Sequence, residues 1–317
     1  MISVSGTLHT DPAQPESTVL LRGADMPLVA ETISEAFSQF LKKKTPKKWE
    51  REEVSKYRTR IYEILDAEFG VYSFFQSGSF SNGTGISQIS DVDYFARIPL
   101  DRKTVKPASF LTSMKSVLKK ELWEAFDVWV SRPTVSIDFK QLVTQYEVTP
   151  GFYERSGPND EEVFLIPGPG DTWRESAPKA HLQYVRNADG QHSGKVKGLA
   201  RLLKAWKYQH DVPISSFYLE MRAAQYGMRV DSILYPSALP DIVDRMITHG
   251  VRSMNDPTGL VNRITPCSSE ANRLATIGAM NACLPHLEAG FAKWTVDDWA
   301  ASSEYQEVFG TDFPYVL

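Results

Sequence analysis

Two aspartates one residue apart, Asp91 and Asp93, follow shortly after the dipeptide Gly78-Ser79 in a segment rich in small and polar residues. On a strand, residues i and i+2 project from the same face, so both carboxylates would converge on one site. Carboxylates that close repel each other unless a cation lies between them, and Mg²⁺ prefers hard oxygen ligands that it shares with phosphates. The spacing therefore predicts a metal site that acts on a phosphate-bearing substrate.

The glycine-serine pair has its own chemistry. Glycine lets the backbone approach a phosphate closely, and exposed N–H groups at a turn bind anions. A second small-residue turn, Gly83-Thr84, follows before the aspartates. We expect Gly78 and Ser79 to bind phosphate.

A third acid, Asp138, lies between Ile137 and Phe139 in the next alternating segment. A charge there would be costly without a function, and Asp138 is the one acid on the polar face of that predicted strand. If this strand neighbours the strand of Asp93, the three acids form a two-metal site. One metal would activate the attacking hydroxyl and the other would hold the triphosphate. The alternative is a surface charge on an edge strand.

Residues 194–209 predict a helix on which Lys197, Arg201 and Lys204 form one basic stripe at i, i+4 and i+7. No acid interrupts the stripe, which favours a wall facing a polyphosphate, with Lys204 as the leading phosphate ligand. A solvated surface row of charges is the alternative.

The segment after this helix reads Ser215-Ser216-Phe217-Tyr218. Either serine could cap the next helix, and a helix N-terminus also binds phosphate. Phe217 or Tyr218 could stack on a nucleobase, since every base offers a π face. Burial in the core is the alternative for both aromatic rings.

The composition restricts the class of protein. The chain has 317 residues, of which 42% are hydrophobic and 23% charged, and its net charge of -4 argues against a dedicated nucleic-acid coat. No signal peptide or membrane-spanning run is apparent. The two cysteines, Cys267 and Cys283, are expected to be reduced, which fits a cytoplasmic protein.

Periodicity places these residues on a mixed first half and a helical second half. Turn residues 167–170 separate the two halves. The pattern predicts helices over 27–43, 46–69 and 107–127, strands over 71–76, 91–98 and 135–140, further β structure over 142–166, and mainly helices from residue 178 onward.

With these motifs assembled, the chain resembles the DNA-polymerase-β-like nucleotidyltransferase superfamily. More narrowly, it resembles the bacterial CD-NTases, relatives of cyclic GMP-AMP synthase and oligoadenylate synthetase. The matching motifs are Gly78-Ser79 with Gly83-Thr84, Ser90-Asp91-Val92-Asp93, Val135-Ser136-Ile137-Asp138, Trp173 with Pro178-Lys179-Ala180-His181, Arg201-Leu202-Leu203-Lys204-Ala205-Trp206, Pro213 with Ser215-Ser216-Phe217, and Asp256-Pro257-Thr258-Gly259.

The resemblance implies an α+β, two-lobed fold with a mixed sheet core and a mostly helical C-terminal lobe. Residues 1–170 would form the nucleotidyltransferase core lobe with bridging N-terminal helices, and residues 171–317 the helical nucleotide-binding lobe. It also implies that two Mg²⁺ ions, with Mn²⁺ as a substitute, are held by Asp91, Asp93 and Asp138. The implied nucleotide-binding residues are Gly78, Ser79, Lys204 and Ser216 for the phosphates and Phe217 for the donor base.

The implied activity is the condensation of ATP or other NTPs into a cyclic di- or oligonucleotide second messenger for anti-phage defence. Regulatory or effector proteins of a defence operon are the expected partners, with no membrane and no stably bound nucleic acid. One alternative is a template-independent enzyme that extends RNA or tRNA, which shares the metal site but needs a wider basic surface. Another is a nucleotide-binding protein without catalysis.

Overall fold

The computed structural model describes residues 29–53, 55–140 and 145–317. The parts of the predicted elements at 27–28, 54 and 141–144 lie outside these described residues. The strands are β1 Val29–Ala30, β2 Ser73–Gln76, β3 Val92–Ile98, β4 Asp127–Ser131, β5 Thr134–Asp138, β6 Tyr146–Ser156, β7 Glu162–Pro167, β8 Trp173–Ser176 and β9 Tyr315–Val316. The helices are α1 Ile33–Lys44, α2 Lys48–Glu53, α3 Arg58–Phe69, α4 Gly78–Asn82, α5 Pro107–Glu121, α6 Pro178–Gln191, α7 Lys195–Gln209, α8 Ser216–Gly227, α9 Tyr235–Thr248, α10 Glu270–Lys293 and α11 Asp298–Phe309.

A seven-stranded mixed sheet forms the first half of the chain. Its central order is β2-β3-β6-β5-β4, and β7 and β8 extend from the second half of the long strand β6. The β3–β6 pair is parallel, whereas the other pairs of this sheet are antiparallel. The predicted mixed sheet is thus confirmed, and β6 lies between the two strands that carry the predicted acids.

The alternating pattern of β3 is confirmed by burial. Val92, Tyr94, Ala96 and Ile98 are buried in a cluster that α3 and α5 cover, which we call the sheet core. Side chains of opposite parity leave the other face, and among them is Asp93. The strand therefore buries one face and presents its acid to the opposite side.

A second apolar cluster, the helical core, contains side chains of α6 to α11. The apolar face of α1 packs here through Ile33, Phe37 and Phe40 and not on the sheet. Phe37 contacts Tyr305 and Phe313 edge-on at 4.9 and 5.0 Å. The strands β1 and β9 pair in parallel beside it. The domain division at residue 170 stays a prediction.

Several element boundaries differ from the sequence prediction. The helix predicted over 46–69 is two helices, α2 and α3, and the second ends at Gly70, whose φ of 68° is the left-handed conformation that terminates helices. The helix predicted to reach residue 127 ends at Glu121. Both cysteines are free, as expected. No helix in the described part of the chain has the length and apolar character needed to cross a membrane.

Candidate active-site cleft

The dipeptide Gly78-Ser79 begins the short helix α4, directly after β2, and lies against Asp93. Gly78 has a φ of +59°, and a Cβ added to it would lie 1.9 Å from Oδ2 of Asp93. Ser77 N–H donates to the Asp93 carbonyl at 2.8 Å, and Ser79 N–H donates to the Asp93 carboxylate. Only glycine fits position 78, because both its φ and the adjacent carboxylate exclude a side chain.

The predicted pair of aspartates lies at the start of β3. Asp91 lies just before the strand, and its carboxylate accepts a hydrogen bond from the backbone of Gln145. Asp93 lies two residues further along the same face. The sequence prediction that these two side chains project together is consistent with the strand geometry.

The neighbour of β3 is β6, and not β5 as the Asp138 assignment required. In the parallel pair, Asp93 is in register with Glu147. Glu147 in turn is in register with Ser136 of β5, whose Oγ is 3.3 Å from Oε1 of Glu147. Asp138 lies one strand further from Asp93, opposite Asp127 of β4, and accepts a hydrogen bond from Lys140 N–H at 2.7 Å. The predicted adjacency of the Asp93 and Asp138 strands is therefore wrong.

Three carboxylates consequently share one face of β3 and β6: Asp91, Asp93 and Glu147. Burial, followed by the charges of Glu147 and Asp91, raises the pKa of Asp93 to about 7. Burial and the Asp91 charge also raise the pKa of Glu147, and burial raises that of Asp91. The group carries excess negative charge that a cation would neutralise.

The donor set fits a divalent ion, since all three groups offer the hard oxygens that Mg²⁺ prefers. In the described residues, however, no three acidic, histidine or cysteine side chains have already converged around a common point. The three carboxylates thus face the same region without forming a closed cage, and phosphate oxygens would have to supply further ligands.

Lys204 does not project into solvent. It is 1% exposed, and its Nζ donates to Oε2 of Glu220 at 2.8 Å and to Oγ1 of Thr84 at 2.9 Å. Thr84 Oγ1 donates to the same Glu220 oxygen at 2.5 Å, and Asn82 Nδ2 donates to Oε1. We call Lys204, Glu220, Asn82 and Thr84 the buried polar network. The geometry corrects the prediction of an open basic wall, because this lysine is enclosed between α7, α8 and the turn after α4.

The rest of the predicted basic stripe has similar structural contacts. Arg201 is 8% exposed, and its Nη2 and Nε donate to the carbonyls of Gly83 and Gly85 at 2.6 and 3.1 Å. Lys197 pairs with Asp189 at 3.1 Å. The stripe therefore fastens α7 to the glycine-rich turn, which ties the helical core to the segment that carries Gly78.

A different lysine of α7 lies near the carboxylates. Lys207 is half-buried, and its Nζ donates to Oγ of Ser216 at 2.8 Å. Burial and the charge of Lys204 lower the pKa of Lys207, whereas Asp91 opposes that effect. Tyr208 OH lies 3.3 Å from the same Ser216 oxygen. The predicted Ser216 is thus positioned beside a cation, and Ser215 is the residue that caps α8.

A cleft of about 760 Å³ lies between the sheet and the helical core. Gly78 lines one side, and Phe217, which is 40% exposed, lines the other. The Phe217 ring packs edge-on against His181 with centroids 5.1 Å apart. Cleft volumes of this size accommodate a small organic ligand such as a nucleotide.

The wall behind Phe217 is fixed by a buried carboxylate. Asp256 accepts hydrogen bonds from His181 Nε2 at 2.9 Å and from the backbone of Leu260 and Val261 at 3.1 Å. Burial alone would raise its pKa, but hydrogen bonds from His181 and Thr258 lower the pKa well below the ordinary range. The Asp256-Pro257-Thr258-Gly259 motif therefore holds the loop that lines the cleft.

Sequence reasoning missed Glu147 and Lys207, although both had a signal. Glu147 lies between Tyr146 and Val148, the same acid-between-apolar pattern that singled out Asp138. Lys207 follows Lys204 by three residues on the same helix. The strand order distinguishes Glu147 from Asp138, and the hydrogen-bond partners distinguish Lys207 from Lys204.

The buried polar network gives a stability prediction. Lys204→Met leaves the Glu220 carboxylate buried without its cation, so we expect a loss of about 3–5 kcal/mol in the free energy of unfolding. The Lys204→Met/Glu220→Gln double variant should lose less than the sum of the single variants, as measured by urea denaturation. Lys48→Met, at an exposed pair separated by 3.6 Å, is the control and should cost under about 1 kcal/mol. A wild-type stability for Lys204→Met would show that the lysine is not a structural partner.

The raised pKa of Asp93 gives a pH prediction. Because the folded pKa of about 7 exceeds the unfolded value of 3.8, ionising Asp93 costs stability as the pH rises between these values. At about 1.4 kcal/mol per tenfold change in proton affinity, Asp93→Asn should stabilise the metal-free protein at pH 8 by up to about 4 kcal/mol. The gain should disappear below pH ~4 in denaturation curves. Asp138→Asn is the control, and an Asp93→Asn variant no more stable at pH 8 would contradict the charge crowding.

The chain is similar in sequence to proteins that make signalling nucleotides. Residues 32–188 match the model of the Second Messenger Oligonucleotide or Dinucleotide Synthetase domain. A probable cyclic nucleotide synthase of Bacillus cereus (strain VD146) is 18% identical over 234 residues, which cover 71% of this chain and 68% of that protein.

Two solved structures of CdnC from E. coli MS115-1 share the fold. One, with ATP, has a TM-score of 0.72 at 18% identity and covers 90% of this chain and 99% of its own. The other, in complex with HORMA-deltaN, has a TM-score of 0.70 at 19% identity and covers 88% of this chain and 98% of its own. The polymerase-β-like fold is confirmed, and residues 32–188 belong to the family of Second Messenger Oligonucleotide or Dinucleotide Synthetase domains, which supports the resemblance to the bacterial CD-NTases.

Proposed function

We propose that this protein condenses NTPs into a cyclic di- or oligonucleotide. The observation that carries the proposal is the group of three carboxylates on β3 and β6, placed against the glycine of α4 beside a nucleotide-sized cleft. This arrangement brings negative oxygen ligands to the place where a triphosphate would enter. Family membership as a synthetase of second-messenger nucleotides supports the same conclusion.

Asp91, Asp93 and Glu147 would hold the divalent metal, with Glu147 in place of Asp138. The parallel register places Glu147 directly beside Asp93, whereas Asp138 is separated from it by the whole of β6. When bound, Mg²⁺ or Mn²⁺ supplies neutralising charge to the carboxylates and the triphosphate. The raised pKa of Asp93 supports a functional site in which a bound cation neutralises the crowded carboxylates.

The remaining residues would bind and orient the nucleotide. Lys207 offers an ammonium group and Ser216 a hydroxyl to the phosphates from the helical side, and the edge of α4 at Gly78 limits the site on the other side. Phe217 presents an exposed ring to the cleft for stacking on the donor base. Lys204 and Arg201 keep these two sides at a fixed separation.

The proposed chemistry is an in-line attack. A ribose hydroxyl of one nucleotide attacks the α-phosphorus of another, a P–O bond forms, and the bond to pyrophosphate breaks. The orienting residues act by holding the attacking and leaving groups in line, which is the main contribution a protein makes to phosphoryl transfer. A second round within the linear product closes the ring.

A role in anti-phage signalling inside the cytoplasm is part of the proposal. One similar protein is described as a probable cyclic nucleotide synthase, and CdnC has been solved both with ATP and with HORMA-deltaN. We propose ATP as one substrate of this chain and a regulatory protein as a partner. Product identification by mass spectrometry from a mixture of four NTPs, with and without added RNA, tests this. Extension of RNA without small cyclic products would favour the RNA-extending alternative.

The identity of the third carboxylate gives a direct catalytic prediction. The Asp91→Asn/Asp93→Asn double variant should lose product formation, and Glu147→Gln should reduce turnover by about a thousandfold or more because a metal ligand is lost. Asp138→Asn, the matched control on β5, should retain turnover within about threefold. The measurement is release of pyrophosphate and labelled product from NTPs with Mg²⁺. The opposite ranking, with Asp138→Asn inactive and Glu147→Gln active, would restore the sequence-based assignment.

The proposed roles of Lys207 in phosphate binding and of Phe217 in base stacking give a second kinetic prediction. Lys207→Met should weaken nucleotide binding about tenfold or more, since a charge-assisted hydrogen bond contributes about 1.5–3 kcal/mol. Phe217→Ala should raise KM by a similar factor through lost stacking, and Phe217→Tyr should preserve it. Phe126→Ala, an exposed phenylalanine outside the cleft, is the control. An unchanged KM in Lys207→Met would remove that lysine from the phosphate site.

A further inference from the structure

A second pocket adjoins the cleft at α4. It has a volume of about 270 Å³, and its lining includes four cations, Arg51, Arg186, Lys197 and Arg201. Among the described residues, none that lines it is acidic. Ser81, Asn82 and Arg186 line both this pocket and the cleft, so the two spaces meet at α4. We call it the arginine pocket.

The positive charge of the arginine pocket is only partly offset within the described part of the protein. Lys197 is paired with Asp189, but Arg51, Arg186 and Arg201 form no ion pair with any described carboxylate. Arg201 is only 8% exposed and uses two of its nitrogens for backbone carbonyls, which are neutral. Three guanidinium groups thus line one small space without a described carboxylate in ion-pair contact with them.

The electrostatics agree with this geometry. Burial lowers the pKa of Arg201 and the neighbouring charge of Arg51 lowers it further, whereas Tyr235 and the charge of Asp189 oppose this effect. A buried cation repelled by another cation is costly, and buried charges in proteins are normally paired. An anion in the pocket would offset the repulsion between the cations and pair with their guanidinium groups.

The geometry points to a phosphate-binding subsite in the arginine pocket, separate from the carboxylate site and used by a phosphate group of a larger molecule. Guanidinium groups match phosphate oxygens with paired N–H donors, and several converging arginines are a typical phosphate site. The volume is below that of pockets that enclose a whole drug-sized ligand, so it suits a phosphate group and not a complete nucleotide.

Two sources of that phosphate are compatible with its position. A nucleotide or linear intermediate could reach past α4 from the cleft, which rests on the proposed function. A separate phosphate-bearing molecule could enter from the solvent side, where Arg51 and Arg186 are exposed. The phosphate chemistry is the same in both cases, and the source is an outcome of the test.

The test uses the full-length protein and tripolyphosphate as the probe, in EDTA without metal and at low salt. Under these conditions Asp91, Asp93 and Glu147 repel the probe, so binding reports cationic sites alone. We expect calorimetric binding to the wild type and a loss of about tenfold or more for each arginine removed in Arg51→Gln/Arg186→Gln. These two arginines are exposed, so the variant should remain folded, as checked by its thermal unfolding.

The matched control is Arg102→Gln/Arg245→Gln, which removes the same charge from exposed arginines outside the pocket. It should bind tripolyphosphate within about twofold of the wild type. Absence of metal-free binding to the wild type would overturn the proposal. Equal weakening by the control would do the same, because binding would then depend on net charge alone.

Turnover with Mg²⁺ then assigns the source. A raised KM for NTPs in Arg51→Gln/Arg186→Gln would place a phosphate of the reacting molecules in the pocket, whereas an unchanged KM together with lost tripolyphosphate binding would assign it to a separate molecule. Both results support the subsite. A protein that binds the probe but makes no nucleotide product would overturn the proposed function and leave the subsite intact.

Discussion

Repulsion among three carboxylates is the constraint around which the site is arranged. Asp93 and Glu147 lie on two parallel strands whose register places them side by side, and Asp91 directly precedes the strand of Asp93. Burial, followed by the charges of Glu147 and Asp91, raises the pKa of Asp93 to about 7, which reflects the cost of ionising this group. A divalent cation bound with a triphosphate would relieve the repulsion among the carboxylates, and this relief would favour its binding. The fold tolerates the unfavourable arrangement because the sheet core on the other face of β3 fixes the backbone.

Close packing around Asp93 sets the shape of the site on one side. No side chain is possible at Gly78, since the carboxylate occupies the position of its Cβ. The buried polar network then links the turn after α4 to α7 and α8, through Lys204 and Glu220. The segment that touches Asp93 and the helices that carry Lys207 and Phe217 are therefore connected by directed hydrogen bonds. A buried network of this kind fixes one arrangement of its elements because each polar group finds its hydrogen-bond partner within the network and away from water.

The lysines and arginines of α7 show that one helix face can serve two purposes. Lys204 and Arg201 are buried and hold the lobes together, whereas Lys207 remains half-buried beside Ser216. Arg201 also lines the arginine pocket, where its guanidinium donates to backbone carbonyls and not to a carboxylate. The overall charge of -4 is therefore compatible with locally concentrated positive potential.

The sequence predicted the fold and much of the site because its signals are local. Alternation in β3 gave the common face of Asp91 and Asp93, and Gly78 was recognised by its position before them. The identity of the third carboxylate depends on which strands are neighbours in the sheet. Asp138 and Glu147 both lie between apolar residues in the sequence, so the local pattern cannot distinguish them, and the non-local strand pairing decides. Likewise, the spacing of Lys197, Arg201 and Lys204 predicted one face correctly, but the partner Glu220 on another helix determines that Lys204 is buried. Tertiary packing, and not local pattern, selected among residues of the same type.

The central claim, that Glu147 and not Asp138 completes the metal site, is tested most directly by metal calorimetry. Mg²⁺ would be titrated into the wild type, Glu147→Gln and Asp138→Asn, each saturated with a non-hydrolysable ATP analogue. The account predicts that Mg²⁺ affinity falls at least about tenfold in Glu147→Gln and stays at the wild-type level in Asp138→Asn. Wild-type affinity in Glu147→Gln together with a loss in Asp138→Asn would contradict it.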